Sequence, residues 1–303
     1  MKRDQGADGG PRLPLYDEVA ERTASLVIRR YSTSFGMASK LLGVGIRQSV
    51  ENIYALVRVA DEIVDGGAEE AGLNRRQAGR LLDAYEAETE RALEEGYSAD
   101  LVVHAFARTA RAAGFGAELT KPFFASMRAD LHETEHDAES FAAYVYGSAE
   151  VVGLMCLRVF VQDAPHPYPA DELETLESGA RALGAAFQKV NFLRDLAADH
   201  DKLGRSYFPG VDVTRLTEDE KNTVLDDIDA DLARAAATLP LLPRSSRRAV
   251  ALAQRLFAEL SSRLRRTSAE VLIRTRVRVP DPVKLRIALG AATLSGRHSG
   301  ARS

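Results

Sequence analysis

The sequence predicts an all-α protein that forms a single domain. Apolar side chains recur at spacings of three and four residues through most of the chain, as on the buried face of a helix. Alanine, leucine, glutamate and arginine, which favour helices, are abundant. Alternation typical of a strand is confined to residues 274–279, and no internal repeat or Gly/Ser linker divides the chain. We therefore expect one helical domain over residues 15–295, between a disordered tail at 1–14 and a short tail at 296–303.

Breaks in the apolar pattern predict where each helix begins and ends. Hydroxyl residues between Tyr31 and Gly36 favour a cap or turn. Gly66 and Gly67 predict a helix end, and the prolines of residues 163–169 cannot continue a helix. Thr217 and Glu220 have the spacing of a capping box. The helices expected from these signals cover about 16–30, 46–65, 74–95, 99–113, 117–131, 139–162, 171–200, 218–236, 244–274 and 282–294.

The composition excludes several classes of protein. The net charge of −4 gives no indication of a nucleic-acid-binding protein. The one cysteine, Cys156, lies in an apolar run, so no intrachain disulfide can form and a buried, inert thiol is expected. No uninterrupted apolar stretch reaches the roughly 20 residues of a membrane span. A cytoplasmic protein is expected, and peripheral binding at the inner face of the membrane is the alternative.

Two pairs of aspartates stand out within apolar helices. Asp61 and Asp65 are four residues apart, as are Asp195 and Asp199, so each pair leaves one face of its helix. Asn191 extends the second face by another turn. Carboxylates in such surroundings need a cation, and hard divalent cations take oxygen ligands. A single pair of this kind more often lies on a solvated helix face. The repeated geometry favours a Mg²⁺–diphosphate site between two helices.

Basic residues accompany both aspartate pairs. Arg58 precedes the first pair, Arg194 lies beside Asp195, and Lys202 and Arg205 follow the second pair. Arginine and lysine bind phosphate oxygens through charge-assisted hydrogen bonds. This combination of carboxylates and cations is typical of a site for a metal–diphosphate complex.

These motifs resemble those of the squalene/phytoene synthase family, the head-to-head prenyltransferases. Residues 54–65 resemble its first aspartate motif, residues 183–199 its second and residues 204–209 the sequence after it. Residues 32–35 match the family's hydroxyl-rich opening motif, and residues 144–153 match its central helix. The resemblance runs from about Tyr31 to Leu285, is closest to bacterial phytoene synthases, and keeps all five motifs in order.

The resemblance implies an isoprenoid-synthase-type helical bundle around a central apolar cavity. It also implies that Mg²⁺, for which Mn²⁺ could substitute, bridges two prenyl diphosphates. The implied metal ligands are Asp61, Asp65, Asp195 and Asp199, which together with Tyr146 form the implied catalytic set. The implied substrate-binding residues are Ser32, Ser34, Phe35, Arg58, Gln188, Asn191, Arg194, Arg205 and Tyr207.

Three positions depart from the family pattern. Thr33 replaces a basic residue, Glu150 a glycine and Ala198 an acidic residue. None of the three removes an implied metal ligand. They bear instead on the position of the substrate and on its chain length.

The expected reaction is the condensation of two geranylgeranyl diphosphates to phytoene through a cyclopropylcarbinyl diphosphate, without NADPH. The alternative is the same chemistry on two farnesyl diphosphates, giving squalene or dehydrosqualene. A non-catalytic assembly or scaffold protein is the alternative from another class. Neither the oligomeric state nor the geometry of the product's double bonds follows from the sequence.

Other charged residues have simpler interpretations. His104, His132, His136 and His200 lack the spacing of a zinc site and are expected to be solvated. Asp130 and Glu133 are expected to be surface charges, with a place at the cavity mouth as the alternative. Residues 262–303 contain ten Lys/Arg and two acidic residues, a balance of +8. This segment could attract anionic lipid or could simply be a basic surface.

Overall fold

The computed structural model describes residues 12–203, 207–212 and 214–292, apart from the side chains of residues 33, 34, 197–203 and 292. This part of the chain is built from helices and loops, without a β-strand. The α-helices are α1 (Arg12–Tyr31), α2 (Thr33–Ser39), α3 (Val44–Val64), α4 (Gly67–Glu70), α5 (Arg75–Glu95), α6 (Leu101–Ala113), α7 (Ala117–Ala129), α8 (Ala138–Val145), α9 (Val151–Gln162), α10 (Ala170–Leu203), α11 (Glu218–Thr238), α12 (Arg244–Arg266), α13 (Ala269–Leu272) and α14 (Asp281–Ala292). A π-helical segment, Tyr146–Glu150, joins α8 to α9, and a 3₁₀ turn, Leu239–Leu241, follows α11.

Local sequence signals account for most helix ends. Ser32 has an extended backbone and its hydroxyl accepts the amide of Phe35, which starts α2 where the hydroxyl motif predicts a cap. The capping box at Thr217 is confirmed: its hydroxyl accepts the amide of Glu220, whose carboxylate accepts the Thr217 amide. Gly66 adopts a φ of 113° just after α3, in the left-handed region that favours glycine.

Two expected boundaries are wrong. Helix α1 begins at Arg12, inside the predicted tail, and the rest of that tail lies outside the described residues. The helix expected over 244–274 ends at Arg266, because Thr267 turns to an extended backbone. The Lys221 ammonium, almost fully buried, donates to the carbonyls of Thr267 at 2.7 Å and Arg265 at 3.4 Å. A cation on the last carbonyls of a helix satisfies groups that have no partner within the helix.

The core has two main parts. One surrounds α3, α6 and α9 and contains fully buried Phe106, Phe123 and Met155. The other joins α10 to α11 and α12 through residues such as Leu193, Ile228 and Leu264. Helices α3, α9, α10 and α12 contribute to both a core and the wall of one large cavity.

Helix α10 approaches the central helix very closely. A Cβ atom on Gly184 would lie 2.5 Å from the carbonyl oxygen of Ala149, and one on Gly153 would lie 2.5 Å from that of Ala180. Real Cβ atoms do not come so near to backbone oxygen, so glycine is required at both positions. These contacts fix the distance between two walls of the cavity.

The continuous helix Ala138–Gln162 is long and apolar enough to cross a membrane by length and composition. Its position in the bundle gives another reason for this composition. Val151 and Met155 are fully buried, and other side chains of the same helix line the cavity. A helix that is apolar on all sides is expected at the centre of a large bundle.

Candidate active site

A cavity of about 730 Å³ runs through the middle of the bundle. On α3 its lining changes from apolar Val50 and Ile53 to Asp61 and Asp65 at the C-terminal end. On α10 the lining changes in the same direction, from Leu176 to the polar residues Gln188, Asn191, Arg194 and Asp195, with Phe192 among them. The polar segments of the two helices therefore meet at one end, which we call the polar end. The rest of the cavity is mainly apolar.

The structure brings most of the predicted site residues to this cavity. Those that line it are Ser32, Phe35, Arg58, Asp61, Asp65, Gln188, Asn191, Arg194, Asp195 and Tyr207. Arg205 and the side chains of Ser34 and Asp199 lie outside the described residues, as do those of Thr33 and Ala198.

The Asp61 carboxylate is held in an unfavourable environment. Burial raises its pKa well above the ordinary range, the charge of Asp65 raises it further, and Arg58 lowers it. The Asp61 side chain is 28% accessible, and it lines the cavity. Arg58 lies 3.8 Å from Asp61 and also pairs with Glu62. The ring of Tyr31 covers the Arg58 guanidinium, with its centroid 4.6 Å from Cζ.

On the opposite wall, Asp195 is paired with two arginines. Arg194 Nε donates to Asp195 Oδ1 at 3.0 Å, and the same guanidinium also pairs with Oδ2. Arg276, from the connector before α14, reaches the same carboxylate with Nε 2.6 Å from Oδ1 and Nη2 3.2 Å from Oδ2. Arg276 also lines the cavity. Motif reasoning missed this residue, because its connection to the aspartate is purely spatial.

Tyr144 lines the cavity, whereas Tyr146, which the motif match assigns to the active site, is not among the lining residues. Tyr146 packs with the Arg181 guanidinium 5.3 Å from its ring centroid, and Arg181 pairs with Glu150 at 2.6 Å. Glu150, the residue that departs from the family's glycine, thus belongs to an ion pair beside the cavity wall.

The Tyr144 hydroxyl donates to Asp130 at the polar end, 2.8 Å from both carboxylate oxygens. Burial raises the pKa of Tyr144 well above its ordinary range, and the Asp130 charge adds to the effect, so the phenol stays protonated. The preference for a surface role of Asp130 is therefore wrong, whereas Glu133 is exposed. The sequence offered a place at the cavity mouth only as the alternative for Asp130, because its spacing alone was ambiguous.

Aromatic rings support both parts of the cavity. Phe187 and Phe257 stack with centroids 3.8 Å apart, and Phe35 lies within 5.5 and 5.8 Å of them. Tyr207 stacks on Phe192 at 3.8 Å. All five of these rings line the cavity. Their faces offer negative electrostatic potential to a cation without supplying a nucleophile.

Two histidines are buried, contrary to expectation. His104 is fully buried: its Nε2 lies 2.8 Å from Asp17, and its Nδ1 accepts the Ser98 amide at 3.3 Å. The side chain of His136 is 3% exposed and stacks near Tyr207. His132 is exposed, and the side chain of His200 lies outside the described residues. The Cys156 thiol lines the cavity, where burial raises its pKa to about 12, as an inert thiol requires.

The donor set fits Mg²⁺ bound together with a substrate phosphate. Asp61, Asp65, Asp195 and Asn191 offer only oxygen for a hard cation at the polar end. The Asn191 amide oxygen is buried without a hydrogen-bond partner, as is Ser148 Oγ in the cavity wall. Within the described residues, no three His, Cys, Asp or Glu side chains already form a metal-binding group. Mg²⁺ sites commonly use one or two carboxylates and complete the shell with phosphate and water.

The squalene/phytoene synthase family model matches residues 28–282, which include both aspartate motifs and the whole cavity lining. The chain belongs to the squalene/phytoene synthase family. The resemblance drawn from the motifs is thereby confirmed, and the members of this family are prenyltransferases.

Relatives of two product types are similar to this family member. The 15-cis-phytoene synthase of a Paracoccus species is 29% identical over 283 residues, covering 87% of this chain and 88% of the relative. The 4,4'-diapophytoene synthase of Staphylococcus haemolyticus is 29% identical over 206 residues, covering 68% and 66%. Similarity at this level does not distinguish the two products.

Solved structures confirm the predicted fold. A ligand-bound dehydrosqualene synthase superposes with a TM-score of 0.70 at 22% identity, covering 93% of this chain and 98% of that one. Squalene synthase HpnC from Alicyclobacillus acidocaldarius gives a TM-score of 0.70 at 20% identity, covering 84% and 95%. The chain therefore has the isoprenoid-synthase-type helical fold around a central cavity.

Proposed function

We propose that this protein is a Mg²⁺-dependent prenyltransferase that joins two molecules of geranylgeranyl diphosphate head to head, giving phytoene. The observation that carries the proposal is the gradient within one cavity. Carboxylates, arginines and amides occupy one end, and apolar side chains line the remainder. A prenyl diphosphate has the same division between a charged head and an apolar chain.

The length of the apolar wall suits a long prenyl chain. On α10 the lining extends from Asn191 to Leu176, fifteen residues and about 22 Å at the helical rise of 1.5 Å per residue. The deep part of the cavity is lined by residues such as Val152, Leu157 and Phe160 on α9. This depth favours the C20 substrate.

The charged end serves to bind the diphosphates and to stabilise their departure. Arg58, Arg194 and Arg276 supply guanidinium groups that can meet phosphate oxygens. Bound Mg²⁺, held by Asp61 and Asp65 on one wall and by Asp195 and Asn191 on the other, would stabilise the negative charge of the leaving diphosphate. Asp199, whose side chain lies outside the described residues, would belong to the same set by its motif.

The apolar walls serve the carbon chemistry. Loss of diphosphate from the first substrate gives an allylic cation, which the double bond of the second attacks; loss of a proton then gives a cyclopropylcarbinyl diphosphate. A second loss of diphosphate, rearrangement and loss of another proton give the C40 hydrocarbon. Two diphosphates and two protons leave in total, so no reductant is needed. The rings of Phe35, Phe187 and Phe257 can stabilise the cations while excluding water.

The second candidate is condensation of two farnesyl diphosphates to squalene or dehydrosqualene. The relative named 4,4'-diapophytoene synthase and the dehydrosqualene synthase structure support this alternative. A scaffold role is less favoured, because it would give no reason for Asp61, Asp65, Asp130 and Asp195 to share one cavity.

Product analysis tests the proposal. The purified protein is incubated with Mg²⁺ and either geranylgeranyl or farnesyl diphosphate, with and without NADPH, and hydrocarbons are identified by mass spectrometry. We expect a C40 product from geranylgeranyl diphosphate that is independent of NADPH. A C30 product from farnesyl diphosphate alone would support the second candidate, and the absence of any C30 or C40 product would support the scaffold role.

A further inference from the structure

Helix α14 exposes apolar side chains on its outer side. Leu285 and Leu289, one helical turn apart, are 60% and 62% exposed. Arg286 and Gly290 are also exposed and complete a surface that we call the α14 face. The inner side of the helix is apolar too, since Ala291 is fully buried in a cluster with residues of α12. The outer leucines are thus not needed to hold α14 on the bundle.

Positive charge surrounds the α14 face. The acidic residue of α14, Asp281, pairs with Lys284 at 3.1 Å, which leaves the helix without excess negative charge. Arg278 and Arg286 are exposed and form no ion pair with any described residue. A shallow groove beside Arg286 is lined in part by Arg255 and Glu259 of α12, and the Glu259 carboxylate is paired with Arg263 at 2.8 Å. Exposed leucines surrounded by cations favour binding to a partner whose surface is anionic and whose interior is apolar.

Helix α1 provides a contrast. Leu13 and Leu15 are 53% and 66% exposed, which is close to the exposure of the α14 leucines. Asp17, Glu18 and Glu21 follow them directly on the same helix. These acids are paired, Glu18 with Arg22 and the other two with Arg108, so the described residues around the leucines of α1 carry no excess negative charge. Electrostatic attraction to an anionic lipid surface is therefore expected to be stronger at α14, where Arg278 and Arg286 have no ion-pair partner among the described residues, than at α1, where these charges are paired.

The α14 face also lies close to the cavity. Ile287, Ala288 and Ala291 pack in a cluster that contains Phe187 and Ala253, and these last two residues line the cavity. One apolar layer thus separates α14 from the cavity. A hydrocarbon product released on this side would meet lipid directly if α14 rested on a membrane.

We propose that the α14 face docks the protein onto an anionic phospholipid bilayer, with Leu285 and Leu289 inserted at the boundary of headgroups and acyl chains. Arg278, Arg286 and Arg255 lie over the lipid phosphates. The bilayer receives the hydrocarbon, and that part of the inference rests on the proposed function, whereas lipid binding itself does not. Weak and salt-sensitive binding is expected, because a small number of apolar side chains gives only reversible attachment.

Vesicle flotation of the full chain tests the proposal. Vesicles of phosphatidylcholine alone are compared with vesicles of equal parts phosphatidylcholine and phosphatidylglycerol. The protein is expected to float with the anionic vesicles and to be released by high salt. The double variant Leu285→Gln/Leu289→Gln should lower the partition coefficient about tenfold or more. The matched variant Leu13→Gln/Leu15→Gln should leave it unchanged.

Three results would overturn the proposal: equal binding by both double variants, equal binding to both kinds of vesicle, and no binding of the wild type. Sedimentation equilibrium identifies the rival occupant, since conversion of a dimer to a monomer by Leu285→Gln/Leu289→Gln would assign the face to a second copy of the chain. Circular dichroism verifies folding. Vesicle binding without any product would refute the proposed function alone, and product formation without vesicle binding would refute the lipid surface alone.

Discussion

Replacing Gly184 with alanine should separate two walls of the cavity. The new Cβ would lie 2.5 Å from the Ala149 carbonyl oxygen and 3.1 Å from the Glu150 Cα. Ordinary contact begins at 3.4 Å, so the oxygen and Cβ must part by about 0.9 Å, the difference between 3.4 and 2.5 Å. Both neighbours are backbone atoms of the π-helical segment, so relief requires movement of a helix.

Such overpacking costs about 1–3 kcal/mol in the free energy of unfolding, partly offset by about 0.5–1 kcal/mol from the higher helix propensity of alanine. Gly79→Ala is the matched control, because Gly79 is also inside a helix and its Cβ would lie 3.6 Å from the nearest atom, the flexible end of Leu131. Gly79→Ala should stabilise the protein by about 0.5–1 kcal/mol. The two variants should thus differ by about 1–3 kcal/mol.

The assays are urea unfolding followed by circular dichroism and steady-state turnover with the preferred prenyl diphosphate. Because displacement by about 1 Å can lower a rate about a hundredfold, Gly184→Ala should lose ten- to a hundredfold of its turnover, while Gly79→Ala keeps wild-type activity. If Gly184→Ala equals Gly79→Ala in both stability and turnover, the close approach of α10 to the π-helical segment does not set the cavity width.

Three further predictions concern the polar end. Burial raises the pKa of Asp61, so above the ordinary carboxyl pKa of about 3.9 this residue lowers the free energy of unfolding. Asp61→Asn should abolish turnover. In urea titrations without Mg²⁺ the variant should nevertheless be more stable than wild type at pH 7, and this difference in stability should disappear below about pH 4. Arg276→Met should weaken calorimetric binding of inorganic diphosphate in the presence of Mg²⁺ about ten- to a hundredfold, whereas the exposed Arg278→Met should not; equal effects would remove Arg276 from the site. Tyr144→Phe should slow product formation and Tyr146→Phe should leave it nearly unchanged, and the opposite result would favour the assignment of Tyr146 from the motif match.

The helices and the two aspartate motifs could be predicted because both depend on local spacing. Asp61 and Asp195 each belong to a carboxylate row within an apolar helix, and their two helices do line one cavity. The choice between Tyr144 and Tyr146 could not be predicted in the same way. Both tyrosines lie in an apolar run, and the π-helical segment that begins at Tyr146 changes the helical periodicity just there. The motif match pointed to Tyr146, whereas Tyr144 is the tyrosine of this pair that lines the cavity.

Long-range contacts account for most of what the sequence did not reveal. Arg276 meets Asp195 across 81 residues of sequence, from a connector without helical periodicity. The burial of His104 depends on Asp17, 87 residues away, and on the amide of Ser98. Neither the spacing of these residues nor their neighbours indicates such partners. From the sequence alone, a solvated basic residue in a loop cannot be told from a paired one, and the same holds for a histidine on a helix.

The central claim is that the two aspartate motifs hold two prenyl diphosphates at the polar end of one cavity through Mg²⁺. Its most direct test is calorimetric titration with the thio analogue of geranylgeranyl diphosphate, in which sulfur replaces the bridging oxygen and slows ionisation. With Mg²⁺ present, we predict two bound molecules per chain, and we predict that Asp61→Ala or Asp195→Ala removes tight binding without loss of helical structure. Binding of the same strength and stoichiometry after Mg²⁺ is chelated, or in both variants, would contradict the claim.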